Sequence, residues 1–242
     1  MPRNDASIRR VSARTVTFDG GRSDTRALAV PVETAIEIVL GGLPFAVMMA
    51  SPSDLEDYAL GFCLTEGIVA AREEVRAIEI DEVAGGIRLA ISLAPERLAV
   101  HLARRRALSG RTGCGVCGIE DLRALESRAP PIRKAPDVEL PALRRALGSL
   151  EKLQILNAQT RAVHGAAWAD AGGEVTHLRE DVGRHNALDK LIGALLRDEV
   201  DPASGFLIVT SRCSFEMVDK AAAFGAGMLV AISAPTSLAL DR

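Results

Sequence analysis

Aromatic residues and long apolar runs are scarce in this sequence, and each absence limits what the protein can be. Only 3% of the 242 residues are aromatic, so a buried core must consist mainly of Ala, Leu, Val and Ile. No apolar run approaches the length of a membrane-spanning helix, and the arginine-rich start MPRNDASIRRVSARTV lacks the apolar region of a secretory signal. We therefore expect a cytoplasmic protein with no membrane span, whose first residues form a short mobile tail.

A basic charge excess and a disulfide framework are missing as well. The net charge is −3 at pH 7, which disfavours a general nucleic-acid-binding protein because contacts to phosphates require a basic surface. Four cysteines are too few for a disulfide scaffold in so long a chain. In a reducing compartment, a Cys-x-x-Cys pair more often binds a metal or takes part in chemistry.

The first part of the chain predicts β-hairpins and helices. Apolar residues alternate in VETAIEIVL, and Gly41-Gly42 followed by LPFAVMM completes a hairpin pattern. A second hairpin is predicted by VRAIEI, AGG and IRLAISL. Between them, Ser53 and Glu56 have the spacing of a capping box ahead of a helix that Gly67 would end. PERLAVHLARRRAL predicts a further helix, opened by its proline.

The second part of the chain alternates apolar strands with helices. An amphipathic helix is indicated by leucines at helical spacing: Leu140, Leu143, Leu147, Leu150 and Leu153. EVTHL, GFLIVTSR and MLVAISAP then predict strands, with helices between them, which indicates a parallel sheet covered on both faces. The proline-rich stretch RAPPIRKAPDVELP marks a linker. We predict an N-terminal hairpin-rich α+β domain over 1–108, a mobile loop and linker over 109–140, and an α/β domain over 141–242.

Polar residues follow two of these strands, at the positions where open α/β sheets bind ligands. REDVGRHN follows EVTHL, and TSRCSFE follows FLIV. Cationic side chains close to helix N-termini favour an anion such as a phosphate. Many acidic and basic residues surround His185 in the sequence, which favours a ligand-binding site. The alternative is a row of ion pairs on the outer face of a capped helix. His164 is weaker evidence, because a single histidine among small residues is usually a core residue.

Cys114 and Cys117 form a Cys-x-x-Cys pair within the glycine-rich stretch GRTGCGVCG. Zinc would need two further ligands, and neither Cys63 nor Cys213 has a ligand neighbour at metal spacing. A redox pair should open a helix after a strand, whereas the flanking glycines indicate a mobile loop. Sulfur carriage as a persulfide needs a thiol of low pKa, and the arginines just upstream favour the thiolate. A solvated basic helix end beside an inert loop is the remaining interpretation, and the residues alone leave all four open.

Several stretches together resemble the FdhD/NarQ family, the formate dehydrogenase accessory sulfurtransferases. They cover most of the chain after residue 30 and read SPSDLEDYALGFCLTEGI, GRTGCGVCG, VHGAA, REDVGRHNALDKLIG and ISAPTSLAL. The combination of EDVGRHNALDK with a separate, glycine-flanked Cys-x-x-Cys pair makes the resemblance specific.

The resemblance implies both a fold and an activity. It implies a cytidine-deaminase-like, three-layer α/β C-terminal domain beside a smaller, β-rich α+β N-terminal domain. It also implies a cytoplasmic sulfurtransferase and cofactor chaperone, in which a cysteine desulfurase loads a persulfide onto Cys114 with Cys117 as the supporting thiol. The sulfur would pass to a molybdenum or tungsten bis-molybdopterin guanine dinucleotide cofactor before that cofactor enters the formate dehydrogenase catalytic subunit. A homodimer is implied, with no resident metal ion.

The resemblance further implies which residues lie by the nucleotide end of the cofactor, where GDP or GMP would act as a mimic. These residues are His164, Asp181, Arg184, His185, Ser211, Arg212 and Ser214. The chain departs from the family pattern in the loop after FLIV, where Ser-Gly-Arg-x-Ser is expected and Thr-Ser-Arg-Cys-Ser is present. It also ends at SAPTSLALDR, where family members usually continue through another helix and strand, so we expect an incomplete pocket.

Two other functions compete with sulfur transfer. A cofactor chaperone could hold the same cofactor without covalent sulfur chemistry. A zinc-dependent hydrolase of the deaminase type would need a His-x-Glu motif and a Pro-Cys-x-x-Cys motif. His164 is followed by Gly165 and Ala166, and the sequence contains no Pro-Cys-x-x-Cys, which disfavours the hydrolase.

Overall fold

Two four-stranded sheets and a separate two-stranded hairpin make up the β-structure of the computed structural model, which describes residues 7–16, 21, 23–100, 132 and 135–242. The strands are β1 (Ile8–Val16), β2 (Ser23–Pro31), β3 (Thr34–Leu40), β4 (Leu43–Ala50), β5 (Val75–Val83), β6 (Gly86–Leu93), β7 (His164–Asp170), β8 (Val175–Asp181), β9 (Gly205–Val209) and β10 (Leu229–Ala231). The helices are α1 (Leu55–Thr65), α2 (Leu140–Leu153), α3 (Ile155–Thr160), α4 (Arg184–Arg197), α5 (Phe215–Phe224) and α6 (Ser237–Asp241). Residues 95–100 are also helical, and Arg72–Glu74 form one 3₁₀ turn.

The first sheet has the strand order β4-β3-β6-β5 and contains both predicted hairpins. β3 pairs with β4 and β5 pairs with β6 in antiparallel fashion, and β3 and β6 join the two hairpins in parallel. Gly41 and Gly42 turn the first hairpin with φ angles of 56° and 81°. A two-residue turn of this kind requires positive φ at both central residues, which glycine adopts without strain. The pattern therefore predicted both hairpins correctly.

The second sheet has the order β10-β9-β7-β8 and is mixed, so the predicted parallel sheet is wrong. β7 is antiparallel to β8 and to β9, and β9 pairs in parallel with β10. Parallel neighbours need a crossover connection, whereas a tight turn at Ala171 and Gly172 joins β7 directly to β8. The sequence pattern does not reveal this hairpin, because β7 consists largely of small residues and lacks the apolar alternation of a strand.

Helices cover both faces of the second sheet. On one face, α2 packs Ala146 and Leu150 against Ala167 and Phe206 of the sheet. On the other face lies α4, which packs on β7 and β8 and also against α1. α1 in turn packs on β5 and β6 of the first sheet, so one hydrophobic core extends from the first sheet through α1 and α4 to the second. The predicted α/β class, with a β-rich first part and a three-layer second part, is confirmed.

Two local predictions from the sequence are corrected. The expected mobile tail is in part a strand, because Ile8–Val16 pair along their whole length with β2. Ser53 and Glu56 do not form a capping box: Asp54 precedes α1 with a φ of 52°, and no side chain caps the helix. The sequence could not reveal this, because the Asp54 carboxylate lies 3.6 Å from Arg179 Nε, in another part of the chain. Gly67, by contrast, follows the end of α1 with a φ of 65°, as predicted.

The face that α2 buries also differs from the leucine stripe. Its buried residues are Ala142, Ala146 and Leu150, whereas Leu140 and Leu153 are exposed. Alanine allows the helix to approach the sheet closely, since a Cβ added at Gly173 would overlap the backbone of Ala142. Hydrophobic periodicity identified the helix correctly, but small residues rather than large ones decided which side faces the sheet.

α1 and α4 cross at two glycines. A Cβ at Gly61 would overlap the carbonyl oxygen of Asp189, and a Cβ at Gly193 would overlap the carbonyl oxygen of Asp57. The two backbones are therefore in direct contact at the crossing, which only residues without a Cβ permit. Because α4 also carries the polar segment predicted to bind a ligand, this contact fixes that segment relative to the first sheet.

Two predictions fall partly or wholly outside the described residues. The glycine-rich stretch with Cys114 and Cys117 lies outside them, as do residues 101–108 of the predicted helix PERLAVHLARRRAL. The domain boundaries near 108 and 140 stay a prediction. Within the described part of the chain, no helix is long and apolar enough to cross a membrane.

Candidate functional site

The candidate site lies where the start of β7 meets the carboxyl ends of β8 and β9. Because β7 runs antiparallel to both strands, its first residue, His164, pairs with Asp181 at the end of β8. On the other side, the Gly165 N–H donates to Thr210 Oγ1 (2.9 Å) and the Gly165 carbonyl accepts from the Thr210 N–H (3.0 Å). The two polar segments predicted from the sequence thus lie on either side of His164.

Two helix N-termini meet at this place. Gly183 and Ser214 immediately precede α4 and α5, and neither residue caps its helix with a side chain. The first turns of the two helices are close together, since His185 Nε2 lies 3.9 Å from Glu216 Oε2. Backbone N–H groups and the positive ends of two helix dipoles therefore face a common region, which favours an anion.

Two side chains at this junction hold buried polar atoms without a hydrogen-bond partner among the described residues. The atoms are Arg184 Nε and His185 Nε2. Buried polar groups in native proteins are nearly always paired, because an unpaired one loses its hydration without compensation. Both atoms lie in the first turn of α4, where its backbone N–H groups are also free of intrahelical partners.

Asp181 occupies a different position from the other predicted ligand residues. Its carboxylate is fully buried and accepts hydrogen bonds from the Ser51 N–H (2.9 Å), Lys190 Nζ (2.6 Å), the Gly183 N–H (2.7 Å) and Asn186 Nδ2 (3.0 Å). Four donors fill the acceptor positions of a carboxylate. The structure therefore places Asp181 inside the protein, where it holds the start of α4 to the end of β4.

The remaining predicted residues, Ser211 and Arg212, lie in the loop between β9 and α5. Ser211 is buried, and its hydroxyl donates to the carbonyl of Arg212 (3.0 Å). The Arg212 side chain is exposed and forms no ion pair with any described residue. The loop is fixed from behind by the Thr236 N–H, which donates to the Cys213 carbonyl (2.9 Å). Arg212 is therefore a solvent-exposed cation in the loop that leads into α5.

The charged residues of α4 are not an exposed ion-pair row. Asp189 is 2% exposed and Lys190 is fully buried, so the alternative of ion pairs on the outer face of a capped helix is wrong. Burying a charge in this way requires partners supplied by other elements. The polar sequence around His185 therefore has a role inside the protein, beside the candidate site.

The sequence did not identify a buried polar network behind His185. Lys220 on α5 donates from Nζ to Asp189 Oδ2 (2.9 Å), Glu66 Oε1 (3.0 Å) and Thr65 Oγ1 (2.9 Å). The available signal was the spacing of Glu216 and Lys220 on α5, which places both on one helix face. The partners on α1 and α4 came from distant parts of the chain and carried no local pattern.

The two histidines of the site are held towards their neutral forms. Burial, followed by the positive charge of Arg184, lowers the pKa of His164 and of His185 below the ordinary value of 6.5. Lys220 lowers the pKa of His185 further, while Glu216 and Glu66 act in the opposite direction. A neutral imidazole has one donor and one acceptor nitrogen, so His185 can hydrogen-bond a ligand without adding a full charge.

We predict that His185→Gln makes the unfolding free energy less dependent on pH. A pKa that is lower in the folded than in the unfolded state means that the unfolded chain binds more protons below about pH 6.5. The wild-type protein should therefore lose stability as the pH falls through that value, and the variant should lose less. Urea unfolding at about pH 7.5 and about pH 5.5 measures both losses, and equal losses in the two proteins would contradict the prediction.

The two described cysteines are poor nucleophiles. Cys63 is buried in α1, and this burial raises the pKa of its thiol to about 12, with a further contribution from Asp189. Cys213 is half-buried, and burial raises the pKa of its thiol as well. Within the described ranges, no three His, Cys, Asp or Glu side chains are grouped so that they could hold a metal ion.

The fold and the site define an α/β protein in which two helix N-termini meet beside buried polar atoms that have no hydrogen-bond partner among the described residues. A sequence model of the FdhD/NarQ family matches residues 31–242, and this chain belongs to that family. The chain is 51% identical to the sulfur carrier protein FdhD of Xanthomonas euvesicatoria pv. vesicatoria over 222 residues, which are 92% of this chain and 79% of that protein. It is 48% identical to the protein of the same name from Bordetella petrii over 236 residues, which are 98% of this chain and 83% of that one.

A solved structure shares the fold. It is described as that of a formate dehydrogenase accessory protein from Desulfotalea psychrophila and superimposes with a TM-score of 0.74 at 24% identity. The match covers 97% of this chain and 87% of the other. At this level of identity the similarity concerns the arrangement of the elements.

Proposed function

We propose that this chain carries sulfur, as a persulfide on Cys114, from a cysteine desulfurase to the molybdenum or tungsten bis-molybdopterin guanine dinucleotide cofactor of formate dehydrogenase. The observation that carries the proposal is a pair of buried polar atoms, Arg184 Nε and His185 Nε2, which have no hydrogen-bond partner among the described residues and lie where two helix N-termini meet. Membership of the FdhD/NarQ family and relatives named as sulfur carrier proteins support the sulfur step.

The site suits the nucleotide end of such a cofactor. A pyrophosphate has several anionic oxygens, which backbone N–H groups at helix N-termini and a guanidinium group bind well. Arg184, Arg212 and Ser214 supply the side-chain donors, while His164 and His185 complete the border of the site. GDP and GMP contain the same groups as this end of the cofactor and are therefore suitable probes.

The sulfur step needs a thiolate, and the two described cysteines are held as thiols by burial. In our proposal the Cys114 thiolate attacks the outer sulfur of the desulfurase persulfide, and the desulfurase cysteine leaves as a thiolate, with no net oxidation. Attack by the Cys117 thiolate on Cys114 then forms a disulfide and releases the sulfur as sulfide. The two electrons that reduce the sulfur come from the two cysteines.

Intact mass measurement tests the sulfur step directly. The protein is treated with a cysteine desulfurase and cysteine, and its mass is recorded before and after a reductant is added. A gain of one sulfur that the reductant removes supports the carrier. Cofactor or nucleotide binding without any gain of sulfur would instead indicate a chaperone that holds the cofactor without covalent chemistry.

We predict that Arg184→Ala weakens GDP binding by about tenfold or more, since a hydrogen bond to a charged group contributes about 1.5–3 kcal/mol. Arg212→Ala should have an effect in the same direction. Isothermal calorimetry measures both, with Arg144→Ala as the control because Arg144 is an exposed residue of α2, on the opposite face of the sheet. An unchanged affinity in Arg184→Ala would remove this residue from the site.

A further inference from the structure

Ser51, which directly follows β4, is bound to the end of β8 and to α4 through three of its atoms. Its N–H donates to Asp181 Oδ2 (2.9 Å), its hydroxyl accepts from the Val182 N–H (3.2 Å), and its carbonyl accepts from Lys190 Nζ (2.8 Å). The residue after β4 is therefore joined to the segment that leads into Arg184. We call the group of Ser51, Asp181 and Lys190 the clasp.

Lys190 is the centre of the clasp. It is fully buried, and its Nζ donates both to Asp181 Oδ2 (2.6 Å) and to the Ser51 carbonyl, so it joins the two sides. Asn186 adds a parallel link, because its Nδ2 donates to the Met49 carbonyl (2.8 Å) as well as to Asp181 Oδ1 (3.0 Å). Asn186 and Lys190, one turn apart on α4, therefore each donate a hydrogen bond to a backbone carbonyl at or just after the end of β4.

Fold stability alone is a weak reason for this ion pair. Two fully desolvated charges gain little over apolar side chains of the same volume, because their mutual attraction is offset by lost hydration. What such a pair does provide is a single geometry, since each of its polar atoms has only one set of partners. The same segment is closely packed: a Cβ at Gly183 would lie 2.7 Å from Asn186 Nδ2, so the Asn186 side chain would have to move.

We infer that Lys190 is a positioning residue, which acts through Asp181 and Ser51 to hold residues 181–185 in the conformation that presents Arg184, His185 and the first N–H groups of α4 to the ligand. This inference rests on the proposed function for the identity of the ligand. Binding sites of this kind depend on such support, because a donor that must first be ordered binds its ligand more weakly.

The test is the double variant Asp181→Asn, Lys190→Met, which removes both charges together and leaves neither one buried alone. We expect it to fold, to exchange the amide hydrogens of 182–186 faster than the wild-type protein, and to bind GDP at least about tenfold more weakly. Affinity is measured well below the midpoint of thermal unfolding, where a residue that only stabilises the fold would have no effect. Unchanged exchange and unchanged affinity in a folded double variant would overturn the inference.

Asp57→Asn is the matched control. Asp57 is also a buried carboxylate, and it accepts hydrogen bonds from Arg179 and from Arg197, the last residue of α4. The substitution should lower the unfolding midpoint but leave GDP affinity and exchange at 182–186 unchanged. An equal loss of affinity in Asp57→Asn would show that general loosening, and not the clasp, controls the site.

Two outcomes separate the clasp from the proposed function. If the wild-type protein does not bind GDP, the proposed ligand is wrong, and amide exchange in the double variant alone tests the clasp. Faster exchange confined to 182–186 supports the clasp, and unchanged exchange overturns it. If the double variant does not fold, Ser51→Ala replaces it, since that change removes only the hydroxyl that accepts from Val182. Faster exchange at Val182 with weaker GDP binding then supports the inference, and wild-type behaviour contradicts it.

Discussion

Gly193→Ala is expected to destabilise the fold by more than about 3 kcal/mol, a large part of the total stability of an ordinary domain. The added Cβ would occupy the position of the Asp57 carbonyl oxygen, which belongs to the backbone of α1 and cannot turn away as a side chain would. The two helices must separate, and the core that joins both sheets through α1 and α4 must open with them. Gly61→Ala should act in the same way, because its Cβ would overlap the carbonyl oxygen of Asp189.

Thermal and urea unfolding followed by circular dichroism measure this effect. Gly148→Ala is the matched control, since Gly148 is also a helical glycine but a Cβ there would have no atom within 4 Å. Alanine is a better helix former than glycine, so this control should gain about 0.5–1 kcal/mol. A Gly193→Ala protein as stable as the wild type would show that the helices do not cross as described.

Cys114→Ser is expected to abolish the maturation of formate dehydrogenase. If Cys114 carries the sulfur, a hydroxyl at this position can neither attack a persulfide nor hold one, since the sulfur nucleophile must be a thiolate. Complementation in cells that lack the accessory protein measures the effect as formate dehydrogenase activity. Cys117→Ser should be milder if its role is to release the sulfur, because other thiols can replace it.

Cys63→Ala is the control for this experiment. Burial raises the pKa of the Cys63 thiol to about 12, so the residue has no thiolate to offer, and its loss should leave maturation intact. Folding of Cys114→Ser is checked by its unfolding midpoint and by GDP binding, both of which should match the wild type. Active formate dehydrogenase with Cys114→Ser would remove the carrier role from this cysteine.

The sequence predicted which polar segments lie next to each other, while their role in binding stays a prediction. The rule that ligands bind beyond the carboxyl ends of strands pointed to both segments, and the structure brings Arg184, His185 and Ser214 together around Glu216. Asp181 belongs to the same segment, but the structure uses its carboxylate inside the protein. A sequence cannot distinguish these two uses of an aspartate, because its partner Ser51 is 130 residues away in the chain.

The sequence by itself determined the local elements of this protein and its family. Turns at Gly41 and Gly42 and the periodicity of α1 and α2 are encoded by neighbouring residues, because a turn needs a certain φ and a helix repeats every 3.6 residues. Motif spacing determined the family for the same reason, since it is read along the chain. These features need no knowledge of what packs against them.

Only the tertiary structure decided how the elements are placed and which polar groups a ligand can reach. The antiparallel position of β7, the alanine face of α2 and the glycine crossing of α1 and α4 depend on surfaces that meet across long separations in the chain. The same is true of charge: Lys190 is buried because Asp181 and Ser51 together replace its water, whereas Arg184 Nε has no such partner among the described residues. Burial and pairing are properties of the assembled fold, and they separate the residues that build this site from those that are left to bind.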